Sequence, residues 1–234
     1  MPLSRVKRNK IHRFKPVSTN LFHISQGDVA DDINKIQRGL YYVHLYSALE
    51  KTTNEIIERV LLIISGFKVK YEHYIAEFNT ISLSAQMMSY KSATKDNAWL
   101  KSHDLFTTMC SLEEAKINES FFSASLQNIW FETVDNLLKC FGISTIEDVD
   151  GSLKIALNEV VDNRNAVAHG RISADIIGER HRSDVLRERT ETVSNILDDL
   201  ITKYEKYILD LEFIKPIYRS IYTGHLSKFT ESVQ

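Results

Sequence analysis

Four long segments of this chain carry apolar residues at helical spacing, and they restrict its fold more than any other feature. The segments cover residues 31–64, 119–141, 151–169 and 185–214. Each repeats its apolar positions every three or four residues, as amphipathic helices do. No stretch alternates apolar and polar residues as strands do, and no Asn-Gly hairpin turn occurs. The sequence therefore predicts an all-α protein, a four-helix bundle with short additional helices.

The composition narrows the class of protein. Hydrophobic residues make up 43% and charged residues 26% of the chain, as in ordinary soluble globular proteins, and only 8 Gly and 3 Pro interrupt it. With a net charge of −2, the chain does not have a positive electrostatic potential over its whole surface. Any contact with nucleic acid is therefore expected to be local. Cys110 and Cys140 lack metal-ligand spacing and are expected to be reduced thiols. Because no apolar run reaches the length of a membrane span and the start lacks a signal-peptide core, we expect a cytoplasmic protein without membrane contact.

The third segment combines an apolar stripe with unusual polar residues. The stripe includes Leu153 and Leu157, and Gly170 follows the last periodic residue, where a left-handed C-terminal cap is expected. Arg164 falls in the middle of the stripe, where a charged side chain is expected to have either a paired group or a functional role. His169 lies about 140° from Arg164 and about 40° from Asn165 on the helix. It belongs to the last turn, where the helix dipole favours a cation.

This run, Arg-Asn-Ala-Val-Ala-His-Gly from Arg164 to Gly170, resembles the signature of the HEPN superfamily. The resemblance rests on its context: Asn beside Arg, small apolar residues inside, Gly after His and amphipathic helices on both sides. The spacing alone, an Arg followed after four to six residues by a His, is not decisive, because it also occurs at Arg5/His12, Arg38/His44 and Arg219/His225. The resemblance is sharp over residues 151–170. It implies an all-helical fold and a metal-independent ribonuclease in which Arg164, His169 and Asn165 form the catalytic motif, with no cofactor.

Cleavage of RNA without a metal requires a base for the ribose 2′-hydroxyl, an acid for the departing 5′-oxygen and a fixed cation for the phosphate. Histidine serves as acid or base near neutrality, and arginine offers a planar fork to phosphate oxygens. The expected products are a 2′,3′-cyclic phosphate and a 5′-hydroxyl. One histidine is too few for both proton transfers. HEPN proteins dimerise so that two motifs share a cleft, and the resemblance therefore implies a homodimer or a larger homo-oligomer.

The resemblance implies a toxin or phage-defence effector that cleaves RNA and is held in check by an antitoxin or another defence-system protein. HEPN toxins controlled by adenylylation carry Tyr two places after the motif His, where this chain has Arg171. An alternative is a non-catalytic HEPN subunit that binds RNA or nucleotides, or assembles a defence complex. A third hypothesis is a bundle without an active site, in which Arg164 merely pairs with Glu50.

Other residues are candidates for the surroundings of the motif. Glu50 falls inside the stripe of segment 31–64, so it either pairs with Arg164 or reaches water at the edge of the stripe. After Gly170 comes a segment rich in cations, predicted to be a loop. Its residues are candidates for RNA phosphate binding, although they are equally compatible with a solvated turn: Arg171, Arg180, His181 and Arg182.

The remaining chain divides into an arm, an insertion and a tail. Residues 1–30 are predicted to be a basic N-terminal arm, residues 31–215 the HEPN-like helical domain, and residues 216–234 a C-terminal tail. Within the domain, residues 66–117 are predicted to be an insertion between bundle helices or a substrate-facing flap. The arm is either flexible and solvated or in contact with RNA, because residues 1–16 hold no acid and six cations: Arg5, Lys7, Arg8, Lys10, Arg13 and Lys15.

Overall fold

The computed structural model describes the backbone of residues 1–26 and 31–231, and the side chains of residues 1–19 and 31–226. Within these ranges the chain forms helices and no β-strand, so the predicted all-α class is confirmed. Two isolated bridges, Lys70 with Glu114 and Tyr74 with Ile214, join irregular segments. The helices are α1 (Ser4–Gln26), α2 (Asp31–Gly66), α3 (Asn79–Ser82), α4 (Ser84–Lys91), α5 (Ala98–Met109), α6 (Phe131–Phe141), α7 (Ser152–Ala168), α8 (Ala174–Arg180), α9 (Ser183–Leu209) and α10 (Arg219–Glu231).

Helix α2 is the central element, and α1, α7, α8 and α9 all pack against it. Its buried face runs the length of the helix, from Tyr41 to Ile64. It meets the buried faces of α7, with Leu157 and Val160, and of α9. Burying one such Val or Leu side chain contributes about 1.5–3 kcal/mol. The segments predicted to be helices at 31–64 and 151–169 match α2 and α7 closely.

The predicted helix at 119–141 begins only at Phe131, because the backbone before it hydrogen-bonds to other elements. The N–H of Ile129 donates to the Tyr46 hydroxyl of α2 at 3.0 Å. The N–H of Phe131 donates to Oδ1 of Asn158 on α7 at 3.1 Å. Leu126 and Ile129 are nevertheless buried. The apolar pattern thus predicted burial correctly and conformation wrongly.

The last long helix was predicted to reach residue 214 but ends at Leu209. The N–H of Leu211 donates to the carbonyl of Ile208, and the N–H of Glu212 donates to that of Tyr207. This is the Schellman arrangement, built here with Leu211 at a φ of 51° instead of a glycine. The turn lets Phe213 and Ile214 enter the core.

Most of the predicted N-terminal arm is a helix of the bundle, α1, so the flexible, solvated alternative is wrong for residues 4–16. Leu3, Val6 and Val17 are buried, and three of the six cations pair with acids of α9 and α2. Lys7 lies 2.6 Å from Glu205, Lys10 lies 2.6 Å from Asp198, and Arg13 lies 2.8 Å from Glu55. Residues 27–30 of the predicted arm lie outside the described residues.

The predicted insertion and tail also differ from expectation. Residues 67–83 supply Phe67, Tyr74 and Phe78 to the core, so the first half of the 66–117 segment is part of the bundle. The second half contains α5, which buries no residue and exposes Trp99. In the predicted tail, α10 packs through Tyr222, whose hydroxyl lies 2.8 Å from a buried imidazole nitrogen of His73. In the described part of the chain, no helix is long and apolar enough to cross a membrane.

Candidate functional site

Residues next to α7 in the sequence cap both ends of this helix, which carries the motif. At the start, the carboxylate oxygens of Asp148 accept hydrogen bonds from the N–H groups of Leu153 and Lys154 at 3.1 and 2.9 Å. These are N–H groups that a helix leaves unpaired. At the end, Gly170 adopts a φ of 64°, and the N–H of Arg171 donates to the carbonyl of Ala166 at 2.9 Å. The predicted glycine cap is confirmed.

The Arg164 guanidinium is held by side chains from three elements. Its Nη2 donates to Glu50 of α2 at 3.2 Å. Its Nη1 donates to the side-chain oxygen of Asn165 at 2.7 Å and to that of Asn128, in the segment before α6, at 3.3 Å. The predicted contact of Arg164 with Glu50 is therefore present. The side chains of Arg164 and Glu50 are 18% and 32% exposed, so the pair lies at the edge of the bundle core and Glu50 also reaches solvent.

Tyr46 of α2 lies beneath the guanidinium. The Arg164 Cζ atom is 3.7 Å from the centroid of the Tyr46 ring, within the range of a cation–π contact. Burial raises the pKa of the Tyr46 phenol, with a further rise from the Glu50 carboxylate, while the Ile129 N–H and Arg164 oppose it. The phenol therefore stays neutral and serves as both donor and acceptor. The face of the ring and the carboxylate together provide a site for a cation.

His169 occupies the C-cap position of α7 and is exposed. Within the described residues its imidazole makes no hydrogen bond and no ion pair, and it is accessible to a ligand. Arg164 leaves the same helix about 140° away, directed towards α2. One helix therefore presents the two side chains in different directions.

Most of the chain matches the model of a known protein family. A model of the RiboL-PSP-HEPN family matches residues 8–210, which include all of α2, α7 and α9 and most of α1. The chain belongs to the HEPN family. No curated protein and no solved structure matches it significantly. The match also includes residues 66–117, in agreement with the burial of the first half of that segment in the HEPN bundle.

The cation-rich segment after the HEPN motif is not a single loop. Residues Ala174–Arg180 form α8, and Arg171, Arg180 and Arg182 are exposed around it. Arg182 lies 3.4 Å from Asp184, and its side chain is 85% exposed. These three arginines are accessible, as a phosphate contact requires. Their role in RNA binding remains a prediction.

His181, also predicted to be a candidate phosphate contact, faces inward instead. Its Nδ1 lies 3.3 Å from Glu159, its Nε2 lies 3.4 Å from the Asn163 amide, and its ring packs edge-on against Tyr42. Burial lowers the pKa of His181, Glu159 opposes this effect, and Arg189 and Arg180 add to it. The prediction is wrong for this residue because Glu159 and Tyr42 provide an internal site for the ring.

Sequence analysis missed Tyr46 and Asn128. Tyr46 precedes Glu50 by four residues, so helical spacing places both on one face of α2. An aromatic residue in an apolar stripe nevertheless looks like ordinary core. Asn128 carries no local signal, since its position depends on the segment before α6 leaving the helical path. Among the described residues, no group of three or more His, Cys, Asp or Glu side chains is placed to hold a metal ion.

Proposed function

We propose that this HEPN protein is an endoribonuclease that cleaves RNA without a metal. One observation carries the proposal: a guanidinium is fixed at the edge of the bundle core by Glu50 and Tyr46, five residues before an exposed, unpaired histidine. Arginine held in this way is a preorganised cation for a phosphate whose charge increases in the transition state. The family membership supports the same assignment.

The reaction follows from the chemistry of these groups. The ribose 2′-oxygen attacks the adjacent phosphorus, its proton passes to a base, and the bond from phosphorus to the 5′-oxygen breaks. An acid then protonates the departing 5′-oxygen, so the products are a 2′,3′-cyclic phosphate and a 5′-hydroxyl. His169 supplies one of the two proton transfers. Arg164 stabilises the non-bridging phosphate oxygens. Asn165 uses its oxygen on Arg164, which leaves its NH₂ group to donate to the same phosphate.

The second proton transfer requires a second histidine. We place it on another copy of the chain, so that two α7 ends face one cleft. Arg164 and His169 leave α7 in different directions, which suits this arrangement. The Arg164 of one copy and the His169 of the other can then act on the same phosphate. The RNA strand is expected to extend towards Arg171, Arg180 and Arg182, which are exposed and would neutralise flanking phosphates.

The physiological setting that fits such an activity is a toxin or a phage-defence effector, restrained by an antitoxin or another protein of the defence system. An unrestrained ribonuclease harms its own cell, so a restraining partner is expected. Arg171 stands where adenylylated HEPN toxins carry their acceptor tyrosine, which makes that form of control unsuitable here.

A second candidate function is RNA or nucleotide binding without cleavage, or assembly of a defence complex. This function is favoured by the hydrogen bonds that Arg164 already makes within the protein, since both of its terminal nitrogens donate to protein oxygens. A cation satisfied in this way suits a subunit in which Arg164 joins α2 to α7 and other residues contact RNA or a partner protein.

The experiment that separates the two functions is incubation of RNA with the protein in the presence of a chelator, followed by analysis of the new ends. Cleavage predicts 2′,3′-cyclic phosphate and 5′-hydroxyl ends. A substrate with a single 2′-deoxy substitution at the cut site should resist cleavage there, because the nucleophile is missing. Binding of RNA without any new ends would support the non-catalytic function.

A further inference from the structure

We propose that Tyr46 and Asn128 are positioning residues that set the plane and direction of the Arg164 guanidinium towards an RNA phosphate. The inference rests on the proposed function and adds to it two residues outside the HEPN motif. Tyr46 lies on α2, which packs against the motif helix α7.

Tyr46 makes two kinds of contact at once. Its ring lies beneath the Arg164 guanidinium, with Cζ 3.7 Å from the ring centroid. Its hydroxyl donates to the carbonyl of Gln127 at 2.9 Å and accepts from the N–H of Ile129 at 3.0 Å. The two backbone groups flank Asn128 on either side. One buried side chain therefore supports the guanidinium and fixes the backbone on both sides of Asn128.

Asn128 completes the arrangement from the solvent side. Its side chain is exposed, and its Oδ1 accepts a hydrogen bond from Arg164 Nη1 at 3.3 Å. Asn165 holds the same nitrogen from α7, and Glu50 holds Nη2 from α2. Contacts from three elements thus define both the plane of the guanidinium and the orientation of its terminal nitrogens within that plane.

This arrangement affects catalysis more than ground-state binding. A flexible arginine neutralises a phosphate at many orientations, but transition-state stabilisation requires donors that are already aligned. Asn128 and Tyr46 need not contact the RNA to act in this way. Their loss should leave the charge of Arg164 in place and remove its alignment, which lowers kcat with little change in KM.

The test compares Tyr46→Phe, which keeps the ring but loses the hydroxyl, with Asn128→Ala. Both are expected to lower kcat about 10- to 100-fold. The double variant should be little worse than either, because both remove the same alignment. In an Arg164→Lys background, Asn128→Ala should have no further effect. The matched control is Tyr41→Phe, since this buried tyrosine of α2 bonds to Thr190 and should retain wild-type kcat.

The NMR signals of the Arg164 guanidinium give a readout that is independent of cleavage. These signals are assigned as the ones that disappear in Arg164→Lys. Where the guanidinium is held and rotates slowly, as in the wild type and in Tyr41→Phe, the two Nη atoms should give separate signals. In Asn128→Ala and Tyr46→Phe these signals should merge. Asn128→Asp, which keeps an acceptor oxygen, should retain separate signals. Thermal melts establish that each variant is folded, and Asn128→Ala changes only an exposed side chain.

The two outcomes for the proposed function are distinguishable. If the wild type cleaves no RNA but the guanidinium signals still depend on Tyr46 and Asn128, the positioning contacts stand and the ribonuclease proposal fails. If the wild type cleaves RNA, and Asn128→Ala and Tyr46→Phe keep both its kcat and its separate signals, the positioning role is overturned.

Discussion

Arg164 on α7 and Glu50 on α2 form an ion pair in which Nη2 lies 3.2 Å from Oε2. The motif arginine is therefore also a contact between two helices of the bundle. The pair lies between surface and core, because the side chain of Arg164 is 18% exposed and that of Glu50 is 32% exposed. Surface pairs contribute about 0–1 kcal/mol, whereas breaking a buried pair costs about 3–5 kcal/mol.

We expect a coupling free energy of about 1 kcal/mol between these residues. The measurement is urea unfolding of Arg164→Ala, Glu50→Ala and the double variant. The control pair is Lys101 and Asp104, which lie 3.7 Å apart with side chains 43% and 59% exposed and should show almost no coupling. Simple additivity at Arg164 and Glu50 would show that the pair contributes nothing to stability.

The close crossing of α2 and α8 depends on two glycines. A Cβ on Gly39 would lie 1.9 Å from the Ala174 carbonyl oxygen, and a Cβ on Gly178 would lie 1.7 Å from that of Lys35. Because both obstacles are backbone, Gly39→Ala should destabilise the protein by about 3 kcal/mol or displace α8. Gly224 of α10 has nothing within 4 Å of an added Cβ, so Gly224→Ala is the control. A Gly39→Ala protein that unfolds at the wild-type urea concentration contradicts the close packing.

Stability should decrease in acid partly because of His181. Its pKa is lowered in the folded protein, chiefly by burial, from an ordinary value of 6.5. The unfolded chain therefore binds a proton first as the pH falls below about 6.5, which favours unfolding until the folded pKa is passed. The free energy of unfolding should be unaffected by this group above that pH. The stability of His181→Gln should decline less steeply below pH 6.5 than that of the wild type, which urea unfolding at a series of pH values measures.

A shared cleft that uses two histidines predicts that His169→Ala protein inhibits the wild type. A heterodimer of wild type and His169→Ala keeps only one of the two histidines, so the activity of a fixed amount of wild type should fall as an excess of His169→Ala is mixed in and the subunits exchange. Sedimentation of the mixture checks that dimers form, and the same excess of His103→Ala is the control. A fully active monomer, or wild-type activity that His169→Ala leaves unchanged despite subunit exchange, would contradict the shared cleft.

Much of the site was predictable where it depends on one helix. Periodicity placed Arg164 in the stripe of α7, and glycine chemistry placed the cap at Gly170. The position of Glu50 in a second stripe made it a candidate partner of Arg164, with solvent as the alternative. These features follow from local spacing, which a single sequence records directly.

The parts that were not predicted depend on contacts between distant segments. The basic arm packs on the bundle as α1, where three of its cations pair with acids of α2 and α9 more than forty residues away. Residues 119–130 have an apolar helical pattern, yet the backbone groups of Gln127 and Ile129 bond to the Tyr46 hydroxyl instead. Asn128 reaches Arg164 only as a result of that irregular path. Propensity is a weak signal when tertiary hydrogen bonds offer an alternative.

The most direct test of the ribonuclease proposal is the rate of RNA cleavage by His169→Ala in a chelator, beside the wild type and His103→Ala. His169 and His103 are both exposed, so each substitution should change the free energy of unfolding by no more than about 0.5 kcal/mol. The proposal predicts that the wild type and His103→Ala produce 2′,3′-cyclic phosphate ends at equal rates and that His169→Ala produces none. Cleavage by folded His169→Ala at the wild-type rate would contradict it.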